Sequence, residues 1–213
     1  MTHPIRGLMA LADDSPCWKL DPVELALAAC EGGASIVQLR AKRATDRVAL
    51  QWAEAIRELT RKFGVDFFVN DRFDLALASD ADGVHLGQGD FPPHRLPTHA
   101  RSRLKVGRST HSLEQAAAAC TEPIDYIAFG PIFDTGSKRS TTEPRGLDRL
   151  AEVVRHAHPR PVIAIGGIDL DNAGRVAATG VAGIAVISAI ADAADPRSAA
   201  RALGQTVNSS PEP

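Results

Sequence analysis

Eight short runs of β-forming residues alternate with helical segments along this chain of 213 residues. The runs lie at residues 8–11, 35–39, 67–70, 83–86, 104–107, 126–129, 162–165 and 183–187. Strict alternation of strand and helix predicts a parallel sheet, because the chain crosses back over the sheet between successive strands. Eight repeats in one domain of this length favour closure into an α/β barrel of the TIM type. A doubly wound open sheet remains the alternative, since periodicity does not distinguish the two.

Capping residues in the sequence mark where several of the helices are predicted to begin. Asp21 before Pro22 predicts an N-cap, Ser112 with Gln115 fits a capping box, and Asp169 precedes another helix. The clearest amphipathic pattern predicts that one helix buries Val48, Trp52, Ala55, Ile56, Leu59 and Phe63.

No linker divides the chain, so residues 1–206 are predicted to form one domain, with a disordered polar tail at 207–213. The segment 131–144 is long, polar and rich in Gly, Ser and Thr. A loop of that length in a compact barrel is typical of a lid or a binding loop.

Composition narrows the functional classes. The formal net charge of -2 gives no reason to expect nucleic acid or an anionic membrane as partner. No apolar run reaches membrane-spanning length, and no signal-peptide core is present at the N-terminus. The three cysteines, Cys17, Cys30 and Cys120, lack metal-site spacing and indicate reduced thiols in the cytoplasm. A homo-oligomer is compatible with the sequence, which does not fix the oligomeric state.

The candidate site lies where strands end, because barrel active sites form at the carboxyl ends of the strands. Strand alternation places Gln38, Arg40 and Lys42 on one side after the second strand. Two cations extending an apolar strand suit an anionic ligand, and Arg binds phosphate oxygens in a bidentate manner.

Carboxylates follow the next two strands. Asn70 and Asp71 end the third strand, and Asp90 follows the fourth. Two carboxylates beside cations suit one Mg²⁺ ion, with substrate oxygens and water completing its octahedron. For Asp71 alone, an N-cap of the following helix is the competing interpretation.

Hydroxyl groups and glycines complete the candidate site. Ser109 follows the fifth strand, where it suits either a helix cap or a phosphate ligand. Gly167 follows the seventh strand, and Ile187 and Ser188 follow the eighth, where barrels commonly bind phosphate. The long loop adds Thr135, Ser137 and Lys138. His85 and His111 are assigned no catalytic role; His85 suits packed core or a pocket wall, and His111 the neighbourhood of a helix cap.

Taken in order, these segments resemble the thiamine-phosphate synthase family. The matching pieces are Gln38-Leu39-Arg40-Ala41-Lys42, Asn70-Asp71-Arg72, His85 to Asp90, Gly107 to Ser112, Gly130 to Lys138, Gly146-Leu147, Ile165 to Ile168 and Val186 to Ile190. Each piece is modest, but the ordered series is highly specific. At the first strand, Met9 and Ala12 depart from the usual Tyr and Thr before Asp13.

The resemblance implies a Mg²⁺-dependent transferase that joins a hydroxymethylpyrimidine diphosphate to a thiazole phosphate, with release of diphosphate through a dissociative pyrimidine cation. It implies these pyrimidine-diphosphate ligands: Gln38, Arg40, Lys42, Asn70, Ser109 and Lys138. It implies these thiazole-phosphate ligands: Thr135, Ser137, Gly167, Ile187 and Ser188. Asp71 and Asp90 are the implied Mg²⁺ ligands, and Lys138, Ser109 and Arg40 the implied catalytic residues.

Three alternatives remain open at this point. A thiazole tautomerase uses the same barrel without diphosphate chemistry, so it has no use for the two Asp residues beside the lysines. A barrel that only binds a thiamine-pathway phosphate is compatible with the altered first strand. A phosphosugar isomerase would need an acid/base pair, which the sequence does not reveal.

Overall fold

A computed structural model describes residues 4–134 and 143–208 of the chain. Within them, eight parallel strands form a closed barrel in which each strand pairs with its sequence neighbours and β1 pairs with β8. The predicted barrel is therefore confirmed, and the open-sheet alternative is excluded. The strands are β1 Gly7–Asp13, β2 Ile36–Arg40, β3 Asp66–Asn70, β4 Gly83–Leu86, β5 Lys105–Thr110, β6 Tyr126–Phe129, β7 Val162–Ile165 and β8 Gly183–Val186.

Helices surround the barrel. They are α1 Pro22–Glu31, α2 Asp46–Phe63, α3 Phe73–Ala78, α4 Thr98–Arg101, α5 Leu113–Cys120, α6 Gly146–Ala157, α7 Ala173–Ala177, α8 Ser188–Ala191 and α9 Pro196–Asn208, with a 3₁₀ turn at Pro93–Arg95. None of the described helices is long and apolar enough to cross a membrane.

The strands separate two apolar layers because successive side chains point to opposite faces. Outward-facing residues such as Leu8, Val37 and Phe67 pack under the helices in the larger layer. Inward-facing residues such as Phe68 and Tyr126 fill the barrel itself. The barrel is thus a packed core below its mouth, as expected for this fold.

The predicted helix starts are largely present. Asp21 accepts hydrogen bonds from the backbone N–H groups of Val23 and Glu24, and Glu24 completes the capping box. Ser112 accepts from the Gln115 N–H at 3.2 Å, but the Gln115 side chain accepts from the His111 N–H instead of closing a box. Those two caps fix where α1 and α5 begin.

Two predictions from the sequence need correction, namely the buried side of α2 and the end of the last helix. The buried side of α2 is formed by Ala49, Ala53, Ile56 and Thr60, whereas Phe63 is 46% exposed. Small residues allow this helix to lie close to the barrel, and the larger apolar side chains flank the contact. The last helix extends to Asn208 with Val207 buried, two residues past the predicted domain end at 206; residues 209–213 lie outside the described part.

Candidate active site

A cavity opens at the carboxyl ends of the strands, which is the predicted position. Met9 and Leu11 form apolar parts of its wall, and side chains from β2 through β8 supply the remainder. The cavity therefore sits directly above the apolar filling of the barrel. Polar groups that line it are held by strands, which position side chains more rigidly than loops do.

One side of the cavity gathers predicted pyrimidine-diphosphate ligands from three strands. Gln38, Asn70 and Ser109 all line it. Gln38 is 2% exposed, and its side-chain amide donates to the Met9 sulfur at 3.2 Å. Ser109 lies near the end of β5, as predicted, because that strand continues to Thr110, past the run 104–107 that the sequence indicates. The structure thus brings together residues separated by some seventy positions.

Arg40 is held from the side by the end of the neighbouring first strand. Its guanidinium donates to the carboxylate of Asp13, which is 2% exposed. Asp13 also accepts from the indole N–H of Trp18 at 2.8 Å and from the Ser15 N–H at 3.0 Å. Three donors to one buried carboxylate fix its position, so Arg40 is anchored at the barrel mouth.

The two predicted metal ligands lie together beside Lys42. Lys42 forms an ion pair with Asp71, and the carboxyl groups of Asp71 and Asp90 are near enough to shift each other's pKa. Burial raises the pKa of Asp71, the hydrogen bond with Asp90 raises it further, and Lys42 opposes the shift. Burial raises the pKa of Asp90 as well. Hydrogen bonding with Asp71 and with the Gly87 N–H, together with the positive charge of Lys42, outweighs burial, so the pKa of Asp90 lies below its usual value.

Local backbone geometry positions the side chains of Asp71 and Asp90. Asp71 has a φ of 65°, in the left-handed region, and its N–H donates to the His85 carbonyl at 2.7 Å. Asp90 accepts from the Gly87 N–H at 2.6 Å. The N-cap position of α3 is taken by Arg72, which makes no side-chain cap bond. The competing interpretation of Asp71 as an N-cap is therefore wrong, and its strained conformation is typical of a functional position.

The opposite side of the cavity is formed by the ends of β7 and β8. Gly167, Ile187 and Ser188 line it, as predicted for a phosphate site. Gly167 has a φ of 66°, and a Cβ there would lie 2.4 Å from the Asp134 carbonyl oxygen, so only glycine fits. Among the described residues, none accepts a hydrogen bond from the backbone N–H of Gly167 or Ser188, which leaves both N–H groups available to an anion.

Three further predicted ligands fall outside the described residues. Thr135, Ser137 and Lys138 belong to the segment 135–142, so their positions stay predictions.

Two side chains that were given no catalytic role contact the site. His85 lines the cavity and lies 2.8 Å from the Ser109 hydroxyl through its Nε2 atom. His111 also lines the cavity, and its Nδ1–H donates to the Gly130 carbonyl at 2.6 Å. Strand alternation could have predicted that His111 faces the cavity, because residues two positions apart on a strand point to the same side and His111 lies two positions after Ser109.

Comparison with known proteins adds independent information. A sequence model of the thiamine monophosphate synthase family matches residues 8–190. This chain belongs to that family. A thiamine-phosphate synthase of Chlorobium phaeovibrioides is 46% identical over 207 residues, which is 95% of each chain. A thiamine-phosphate synthase of Chlorobium phaeobacteroides is 43% identical over 200 residues, covering 94% of this chain and 96% of the relative.

Solved structures agree with the family membership. A thiamine phosphate pyrophosphorylase from Pyrococcus furiosus superposes with a TM-score of 0.85 at 40% identity, over 95% of both chains. A 3-hexulose-6-phosphate synthase superposes with a TM-score of 0.62 at 18% identity, over 94% of this chain and 99% of that one. The second likeness shows the shared barrel alone.

Proposed function

We propose that this protein joins a pyrimidine diphosphate to a thiazole phosphate and releases diphosphate, giving thiamine phosphate. The observation that carries the proposal is a single cavity with two separate polar sides at one barrel mouth. Gln38, Asn70 and Ser109 occupy one side, and Gly167 and Ser188 occupy the other. Two anionic substrates held on facing sides of one cavity suit a joining reaction, since orientation supplies much of the acceleration.

The carboxylate pair fits one Mg²⁺ ion. Mg²⁺ is usually bound through one or two carboxylates, with substrate phosphate oxygens and waters completing six ligands. Asp71 and Asp90 provide that pair, since each carboxyl group lies near enough to shift the pKa of the other. When bound, the ion would neutralise charge on the leaving diphosphate.

The chain's own residues then account for binding and charge stabilisation. Arg40, anchored by Asp13, and Lys42, paired with Asp71, lie at and just after the end of β2, and in this proposal both bind the diphosphate. Negative charge develops on the leaving group, so fixed cations stabilise the transition state more than the bound substrate. We further propose that the bond to diphosphate breaks before the thiazole nitrogen attacks, which requires no side-chain nucleophile. Lys138 joins the cations in this proposal.

The two alternative functions related to thiamine synthesis would need a different set of site residues. A thiazole tautomerase or a barrel that merely binds a phosphate has no need for the Asp71–Asp90 pair beside Lys42. We also propose that the protein works in the cytoplasm, in keeping with its three free cysteines.

The assay with both precursors tests the proposal. The purified protein is expected to form thiamine phosphate and diphosphate together, only when Mg²⁺ and both substrates are present. Tight binding of either precursor without turnover would favour the binding-only barrel, and rearrangement of the thiazole alone would favour the isomerase.

Variants test the role of each side of the cavity. Asp71→Asn and Asp90→Asn are expected to raise the Mg²⁺ concentration needed for half-maximal rate, since each removes a charged ligand. Ser188→Ala removes the side-chain hydroxyl, a second donor beside the backbone N–H, and is expected to raise KM for the thiazole phosphate only. Glu152→Gln, an exposed change on α6 outside the cavity lining, is the control and should leave every constant unchanged. Equal Mg²⁺ dependence in wild type and both Asp variants would contradict the metal assignment.

A further inference from the structure

The inner face of the barrel contains one polar ring whose hydroxyl group points toward the site. Tyr126 is the single tyrosine of the chain and lies on β6 with no exposed surface. Its ring packs on Phe68, with 5.9 Å between ring centroids. A buried tyrosine hydroxyl needs a hydrogen-bond partner, and in the part of the chain that the structure describes, its partner is Nδ1 of His85 at 2.9 Å.

His85 connects that buried hydroxyl to the cavity. It is 7% exposed, and its second nitrogen, Nε2, lies 2.8 Å from the Ser109 hydroxyl oxygen. Tyr126, His85 and Ser109 therefore form one hydrogen-bonded chain from the core to the cavity wall. Neutral imidazole has one N–H and one bare nitrogen, so the direction of one bond determines the direction of the other.

Burial decides the direction of the first bond. Desolvation raises the pKa of Tyr126, so its phenol keeps its proton. If His85 Nδ1 carried the hydrogen, it would donate to Tyr126, and the phenol proton would be buried without an acceptor among the described residues. An unmade hydrogen bond of a buried donor is costly. The phenol O–H must therefore donate to Nδ1, which leaves the imidazole hydrogen on Nε2.

The second bond then has a fixed direction as well. Nε2–H donates to the Ser109 oxygen, so the Ser109 hydroxyl proton is not used by His85. Ser109 lines the cavity, as do Asn70 and His111. Within residues 4–134 and 143–208 the Ser109 O–H has no other acceptor, so it is a donor suited to an anionic oxygen. Hydrogen bonds to charged oxygens are about twice as strong as neutral ones.

We propose that Tyr126 is a positioning residue that selects the Nε2–H tautomer of His85 and thereby turns the Ser109 hydroxyl into a donor for the diphosphate. This inference rests on the proposed function only in its last step, the identity of the ligand. Selection of the tautomer is a property of the ligand-free protein.

Nitrogen-15 NMR of histidine-labelled protein tests the tautomer directly. At about pH 8, where histidine is neutral, protonated and bare ring nitrogens give well-separated signals, and the His85 signals are assigned by their loss in His85→Gln. Wild type is expected to show the Nε2–H form of His85. Tyr126→Phe, which keeps the ring and removes the hydroxyl, is expected to convert His85 to the Nδ1–H form or a mixture. A wild-type Nδ1–H form would overturn the proposal.

Kinetics test the consequence at Ser109. Tyr126→Phe is expected to raise KM for the pyrimidine diphosphate about tenfold, the loss of roughly one charge-assisted hydrogen bond, and to leave KM for the thiazole phosphate unchanged. In a Ser109→Ala background the same change is expected to have little further effect. Full additivity of the two substitutions would overturn the role of Ser109.

Phe68→Leu is the matched control, because it disturbs the same packing and keeps the phenol. It should retain the wild-type tautomer and selectivity even if it unfolds at a lower temperature. Should the wild-type protein make no thiamine phosphate, the proposed function would fail, but the nitrogen spectra would still decide whether Tyr126 sets the tautomer.

Discussion

The carboxylate of Asp13 at the end of β1 contacts the guanidinium of Arg40 at the end of β2. The two residues are directly aligned in the register of these neighbouring strands. The pair lies at the mouth of the barrel, with side-chain exposures of 2% for Asp13 and 18% for Arg40. The first strand therefore contributes to the site even though Met9 and Ala12 depart from the family pattern.

Asp13→Asn should weaken the anchoring of Arg40. The neutral amide keeps the size of the side chain but loses a charge-assisted hydrogen bond, which is worth roughly 1.5–3 kcal/mol. We expect KM for the pyrimidine diphosphate to rise about tenfold or more, with KM for the thiazole phosphate unaffected. Steady-state kinetics with each substrate varied in turn measures this, and an equal rise in both constants would contradict the assignment.

Trp18 is predicted to act through Asp13. Its indole N–H donates to Asp13 at 2.8 Å, and its ring packs against both apolar layers. Trp18→Phe removes the donor and keeps most of the apolar surface, so we expect the Asp13→Asn pattern in weaker form, with KM for the pyrimidine diphosphate raised about threefold to tenfold. In the double variant the effects should not add, because both changes act on one network.

Gly107→Ala should displace Tyr126. A Cβ at Gly107 would lie 2.2 Å from the Tyr126 ring and 2.5 Å from its hydroxyl oxygen. Such crowding in a packed core costs about 1–3 kcal/mol, so thermal unfolding should occur several degrees lower. Gly174→Ala is the control, since its Cβ would have a nearest contact of 3.8 Å within a helix; its stability should be unchanged or slightly raised. An equal loss in both variants would contradict the steric explanation.

Asp82 is predicted to matter for stability rather than for catalysis. It accepts from Arg57 at 2.7 and 3.1 Å and from the Phe67 N–H at 2.8 Å, at the start of β4 on the side away from the cavity. Asp82→Ala leaves these donors without their acceptor, at a cost of about 2–4 kcal/mol.

A matched control separates the effect of that half-buried pair from the effect of an ordinary surface charge. Glu152→Ala removes an exposed ion pair with Arg149 and should cost about 0–1 kcal/mol. Denaturant unfolding compares the two variants. Rate constants at a temperature where both are folded should match wild type, and a selective loss of activity in Asp82→Ala would contradict a purely structural role.

The cysteines should differ sharply in reactivity. Cys17 is exposed, whereas Cys30 is buried, and burial with the nearby Glu31 charge raises the Cys30 pKa to about 11. At pH 8 only about 0.1% of Cys30 would be thiolate, the reactive form. We expect a thiol reagent to label Cys17 first and Cys30 only near its pKa or after unfolding. Mass spectrometry of the labelled peptides measures the order, with Cys17→Ser as control; early labelling of Cys30 would refute it.

Sequence periodicity was sufficient for the barrel but not for every packing surface. Strand alternation correctly placed Gln38 toward the cavity, because alternation is imposed by the backbone itself. It failed for α2, where large apolar residues suggested one buried side and the small residues Ala49 and Ala53 form another. Burial on a helix depends on how closely it approaches its neighbour, which apolar spacing alone does not encode.

Strand ends predict where the candidate residues lie but not which of them come together. They point to Asp71 and Asp90 as candidate metal ligands, yet the proximity of these two carboxyl groups depends on the φ of 65° at Asp71 and on the turn after β4. The Tyr126–His85 contact joins β6 to β4 across the barrel interior, so local sequence could only have suggested that a lone tyrosine in an apolar strand needs a partner. Interactions between distant segments require the closed fold.

Pairing of β1 with β8 has a consequence for the time course of synthesis. Gly7–Asp13 is synthesised about 170 residues before its second neighbour, Gly183–Val186. Until then one edge of β1 has open backbone groups, and open strand edges are prone to pair with other chains. While the chain between these two strands is being made, the nascent sheet is incomplete, and a chaperone that protects that edge would act before β8 emerges.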